Sequence, residues 1–160
     1  MNKKTYIILF SIFSILILSL FSAYYIEFVL GHKPCKLCIY QRYPYFISIL
    51  LFINIFFLKK LIRLSLLFLS LVSLFGSILA FYHFGIEQGF FSESIVCEAP
   101  ILDENLTKKE ILKQFSEKAI SCKIVTFKVF GLSLASINTI FSFVLFCIFI
   151  RLFKNYEINR

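Results

Sequence analysis

Charge is what this chain has least of, and tryptophan is missing altogether. Only 16% of its 160 residues are Asp, Glu, Lys or Arg, against about 25% in ordinary soluble domains. Hydrophobic residues make up 59%, and Phe alone fills 22 positions. A soluble domain of this size cannot hide that much apolar surface. The mean hydropathy of +0.87 points the same way. The composition therefore excludes a soluble enzyme, a disordered chain and a nucleic-acid module, despite a net charge of +8. Solenoid repeats, low-complexity linkers and flavin or haem signatures are absent too. The apolar residues must face lipid.

Four charge-free runs are present: Thr5–Ile26, Tyr43–Leu58, Leu64–Ile86 and Val129–Ile150. A bilayer core needs about 20 apolar helical residues. Three runs reach that length directly. The second has 16 residues, and it spans if Gln41 and Arg42 extend one end while Lys59 snorkels at the other. The first run follows Lys3 and Lys4 and is read as a retained anchor, because no A-x-A cleavage site follows it. The predicted fold class is an all-α membrane protein: a four-helix transmembrane bundle with two outer loops, residues 27–42 and 87–128.

Charge gives the bundle a sidedness. With four spans, both termini share a side with the Lys59–Arg63 hairpin. Eight basic residues against Glu157 give that side a net +7. The other side holds nine basic and eight acidic residues, a net +1. The first set lies tight against span ends, where the positive-inside rule operates. The termini are therefore expected in the cytoplasm. Within the second outer loop, Thr107-Lys-Lys-Glu110 is a capping box. Ile111, Leu112, Phe115, Ala119 and Ile120 then share one face of a short amphipathic helix lying on the membrane or against a partner. Ser70, Ser73, Ser77 and Ala80 line one side of the third span, and Gly131 and Ala135 form a small-x-x-x-small pair in the fourth.

Cys35, Cys38, Cys97 and Cys122 all fall in the two outer loops, and Cys147 lies inside the last span. Cys35-Lys-Leu-Cys38 is a C-x-x-C, which serves as a zinc half-site, a structural disulfide or a redox pair. Zinc is disfavoured because Cys97 and Cys122 are too far apart in sequence for a second compact knuckle. A structural bridge is disfavoured because so small a loop constrains little of the unfolded chain. Redox chemistry fits the neighbours. The second helix starts just after the pair, and a helix N-terminus favours a thiolate. Arg42, four residues after Cys38, suits a thiolate or a ligand's anionic oxygen at the membrane edge, or a snorkelling anchor. A bridge between Cys97 and Cys122 either staples the outer loop, with about 3–4 kcal/mol in the chain-entropy model, or forms a second redox pair. Two pairs suffice for a relay by thiolate attack, and a lipid-soluble quinone is the natural acceptor.

Cys35-Lys-Leu-Cys38-Ile-Tyr-Gln-Arg42 resembles the C-x-x-C-x-x-x-R signature of the DsbB disulfide-bond formation family. Tyr82-His83 and Phe130-Gly131-Leu132-Ser-Leu-Ala135 are similar to that family as well. The resemblance covers nearly the whole chain. It implies a bacterial inner-membrane thiol:quinone oxidoreductase with periplasmic loops. Cys35 and Cys38 would be the quinone-proximal pair, with Cys38 as the thiolate that meets quinone. Arg42 and His83 would bind the quinone, ubiquinone or menaquinone. Cys97 would form a mixed disulfide with a DsbA-like thioredoxin-fold partner, and Cys122 would be its bridge partner. No metal or nucleic acid is implied. Phe127 stands where the family often carries Trp, which keeps an aromatic surface but loses the indole donor. The competing readings are a quinone-linked oxidoreductase of the vitamin K epoxide reductase type, and a scaffold with structural disulfides only.

Overall fold

The computed structural model describes residues 3–57, 61–92, 97, 121–123, 125, 127–129 and 131–158. The amphipathic helix expected at 107–120 lies outside the described residues, as do Lys59 and Lys60. Four long helices dominate: α1 (Lys3–Phe28), α3 (Arg42–Phe57), α4 (Ile62–Glu87) and α5 (Leu134–Ile158). A short α2 (Lys36–Tyr40) precedes α3. The long helices follow the charge-free runs, because lipid offers the backbone no outside partner and helices satisfy it internally. Three of them, α1, α4 and the Leu134–Tyr156 part of α5, are long and apolar enough to cross a membrane.

The second run gives a shorter helix, which is not among those three. Its helix has 16 residues, about 24 Å at the usual rise. α2 lengthens the helical path to 36–57, with a break at Gln41. Pro44 explains the break. It has no N–H for the Tyr40 carbonyl four residues back, and its ring crowds that carbonyl. Gln41 closes α2 instead, its N–H bonding to the Leu37 carbonyl at 3.0 Å.

The fourth run differs from the sequence expectation at its outer end. Helix begins at Leu134, not Val129. A two-stranded antiparallel hairpin precedes it: β1 (Lys128–Val129) pairs with β2 (Leu132–Ser133). Gly131 turns the chain at φ +83°, a conformation that costs other residues roughly 1–2 kcal/mol. Gly131 therefore serves the turn and is exposed, so it does not form a helix-packing pair with Ala135. Ala135 alone is buried. Ser133 caps the new helix start, accepting from the Ser136 N–H at 3.1 Å.

α4 is the central helix, packed mainly on α5 and next on α3, while α1 leans on α3. The middle of its buried face is made largely of small residues: Ser70, Ser73, Gly76, Ser77 and Ala80. That stripe lets backbones approach closely. A Cβ on Gly76 would sit 3.4 Å from Pro44 Cβ and 3.6 Å from Ser142 Oγ. Ser77 donates to the Thr139 carbonyl of α5 at 3.3 Å. Two apolar clusters result. One joins Leu9 and Leu16, Phe52, Leu69 and Phe149 across all four long helices. The other gathers Cys35, Leu37, Ile86, Cys97 and Cys122 at the outer end. Outside, Leu18, Phe21, Leu50, Phe57, Phe75 and Ile140 are exposed, so the apolar exterior suits lipid.

Candidate functional site

Local chemistry places the C-x-x-C sulfurs. Cys35 is the N-cap of α2, and its Sγ accepts the Cys38 backbone N–H at 3.3 Å. The cap brings the two Sγ atoms to 3.0 Å. From α4, His83 sets Nε2 3.4 Å from Cys35 Sγ. Cys38's side chain, followed by His83, holds the Cys35 thiol down at about 4, against the opposing effect of burial. Cys38 moves up, because it hydrogen-bonds to Cys35 and is itself buried. The two shifts run in opposite directions: the surroundings favour the thiolate at Cys35 and disfavour it at Cys38.

Cys97 and Cys122 are bridged, with Cα atoms 5.5 Å apart, and both are 1% exposed. The bridge sits against the first pair: Cys35 Sγ, a His83 ring nitrogen and Cys122 Sγ lie within 4.8 Å of one another. Such a triangle is also the size of a metal site. However, Cys122 is spent in the disulfide, and metals need a free thiolate. The arrangement suits sulfur exchange, with a thiolate facing a disulfide sulfur. Cys147 is a free thiol on α5, away from this group.

A cavity of about 520 Å³ opens beside the pair. α1 contributes Ile15, Ala23 and Ile26, and α5 contributes Ile137 and Phe141. Cys35, Cys38, Arg42, His83 and Phe127 line it too. Phe127 packs against His32, ring centroids 5.4 Å apart. Arg42 reaches the cavity, but its guanidinium is tied to α1: it pairs with Glu27 and lies 4.7 Å over the Tyr24 ring. The break at Gln41 accounts for this, since Arg42 starts a new helix and does not continue the one that carries Cys38.

The structure thus brings together Cys35, Cys38, Cys97, Cys122, His83 and Arg42, all six residues singled out in the sequence. It adds four more. Gln41 donates to His83 Nδ1 at 2.9 Å, and Asn138 donates to Gln41 Oε1 at 2.9 Å. Tyr45 donates to Asn138 Oδ1. Glu87 places Oε1 3.7 Å from His83 Nε2, and its buried Oε2 meets no hydrogen-bond partner among the described residues. Two signals were available in the sequence: Asn138 is an amide inside an apolar run, and Glu87 lies one helical turn after His83.

The sequence model of the family described as disulfide bond formation protein DsbB matches residues 4–152. An uncharacterized protein of Rickettsia prowazekii (strain Madrid E) is 29% identical over 127 residues, 78% of this chain and 74% of that protein. The SPbeta prophage-derived disulfide bond formation protein B of Bacillus subtilis (strain 168) is 44% identical over 78 residues, 48% of this chain and 49% of that protein. No solved structure matches. Two cysteine pairs at one end of an apolar helical bundle and a family match along nearly the whole length agree: the chain belongs to the DsbB family of disulfide bond formation proteins.

Proposed function

We propose that this protein is a membrane thiol:quinone oxidoreductase that reoxidises a DsbA-like thioredoxin-fold partner in the periplasm. The observation that carries the reading is the contact of the two cysteine pairs, with Cys35 Sγ within 4.8 Å of Cys122 Sγ. A partner thiolate attacks Cys97, and Cys122 leaves as a thiolate. The partner's second thiolate then attacks the mixed disulfide, so the partner is oxidised and Cys97 and Cys122 become a dithiol. Cys122 next attacks the Cys35–Cys38 disulfide at Cys35. Cys97 resolves that bond, which restores the Cys97–Cys122 bridge and leaves Cys35 and Cys38 reduced.

The cavity suits a quinone head group. Its volume of about 520 Å³ falls in the usual ligand range of about 300–1,000 Å³. Its wall is mostly apolar, with Arg42 and His83 as polar contacts. A bound quinone supplies a sink for two electrons and two protons. Cys35 and Cys38 supply the two electrons as they re-form their disulfide, with Cys38 giving up its proton and solvent supplying the other. His83 steadies the Cys35 thiolate, and Arg42 offers a positive charge at the cavity's edge.

Anaerobic mixing of purified protein, a reduced thioredoxin-fold partner and quinone tests the reading. Partner oxidation with stoichiometric quinone reduction is expected. Cys35→Ser, Cys38→Ser, Cys97→Ser and Cys122→Ser each abolish it, while Cys147→Ser does not. Failure of the unmodified protein to reduce quinone overturns the proposal, and undiminished turnover by Cys35→Ser identifies the disulfides as structural.

A further inference from the structure

His83 is gripped on both ring nitrogens. Nε2 faces Cys35 Sγ at 3.4 Å, and Nδ1 accepts from Gln41 Nε2 at 2.9 Å. Gln41 has its other end occupied, because Oε1 accepts from Asn138 Nδ2 at 2.9 Å. Asn138 is braced in turn: its Oδ1 accepts from Tyr45 and from Ser142 Oγ at 3.2 Å. The donors all point one way, from inside the bundle toward Cys35. A neutral imidazole that accepts at Nδ1 carries its proton on Nε2, the nitrogen aimed at the sulfur.

We propose that Gln41, braced by Asn138, is a positioning residue that fixes His83 with Nε2–H toward Cys35 Sγ and so sets the reactivity of that thiol. This deepens the proposed function and rests on it for the consequence in turnover. The logic is that of a nucleophile, an imidazole and a third group that orients the imidazole. Simple packing does not account for the chain. Gln41 is 8% exposed, and burying an amide costs more than burying Leu unless its bonds are used. The six linked residues come from three places: α4 (His83), the segment from Cys35 into α3 (with Gln41 and Tyr45) and α5 (Asn138 and Ser142).

Several ionisable groups surround His83. Glu87 lies one turn on along α4, 3.7 Å from Nε2. Cys35 and Cys38 approach from α2, and a backbone group of the bridged Cys122 also bonds to the ring. Arg42 lines the same cavity, paired with Glu27 of α1. α5 contributes the neutral Asn138. Glu87 and Cys35 both compete for Nε2–H, and the grip on Nδ1 is what holds the ring toward the sulfur.

The test uses the full chain with Cys97→Ala and Cys122→Ala, so that Cys35 and Cys38 form an isolated dithiol. Alkylation at Cys35 is followed against pH by mass spectrometry of its peptide. Gln41→Leu is expected to raise the midpoint by about one unit or more, a tenfold loss of thiolate at fixed pH. Asn138→Leu moves it in the same direction by less. Helical melting in detergent identifies any variant that fails to fold, and Asn138→Leu then decides. An unchanged midpoint in folded Gln41→Leu or in folded Asn138→Leu overturns the proposal. Quinone reduction by the unmodified protein is measured separately. Its loss would sink the functional reading while leaving a shifted midpoint to support the positioning role.

Discussion

Cys35 collects its donors from close by and from far off: the Cys38 N–H three residues on and the His83 ring 48 residues away. Its thiol moves from 9.0 down to about 4, chiefly through the hydrogen bond with the Cys38 side chain and then through His83, against the effect of burial. The folded value lies below the unfolded one. Ionisation therefore supports the reduced fold fully above about pH 9, and that support is lost as pH falls through about 4. Alkylation of Cys35 in the reduced protein should stay fast from pH 8 down to about 5 and fall below 4. A midpoint near 9 would mean that these donors leave the sulfur unperturbed. The cysteines and Arg42 were legible because their chemistry is written in local spacing. His83 was legible only through its likeness to a family. Gln41 was not legible, and Asn138 showed only as an amide inside an apolar run, since their pairing is a contact across 97 positions that no local pattern encodes.

At the scale of elements, hydrophobic runs located the long helices well, and backbone chemistry set their ends. Pro44 divides α2 from α3, and Gly131 moves the start of α5 to Leu134. A hydropathy run registers neither, because both residues lie in apolar sequence and act through φ or a missing N–H. Gly76 marks where α3, α4 and α5 meet. A Cβ there would make ordinary contact with Pro44 and Ser142 at 3.4–3.6 Å, so Gly76→Ala should melt close to the parent. Gly76→Leu has no such room. Overpacking of this kind costs about 1–3 kcal/mol, and it should lower the melting temperature in detergent. Separating α3 from α5 would also part Tyr45 from Asn138, so quinone reduction should fall in the same variant. Equal melting of Gly76→Leu and parent would show that the three helices do not close on this glycine.

Among the described residues, polar side chains are buried beside an apolar core, and the exterior of the helices is apolar. Serines, His83 and Gln41 are buried, while large aromatic and aliphatic side chains cover the outside of the helices. In that setting the +8 net charge reads as an orientation signal. The sequence places +7 of it beside the termini and the Lys59–Arg63 hairpin, and basic residues near span ends stay cytoplasmic. The cysteine pairs sit together at the opposite end of the bundle. Orientation and chemistry are therefore one question, because a disulfide relay persists only in an oxidising compartment. Alkaline phosphatase, which needs disulfides to become active, should be inactive when fused after Arg160 and active when fused after Phe90. A green fluorescent protein fused after Arg160 should fluoresce in the cell. The reverse pattern would put all four loop cysteines in reducing cytosol, where the Cys97–Cys122 bridge could not be maintained. The relay would then fail, whatever the geometry of its sulfurs.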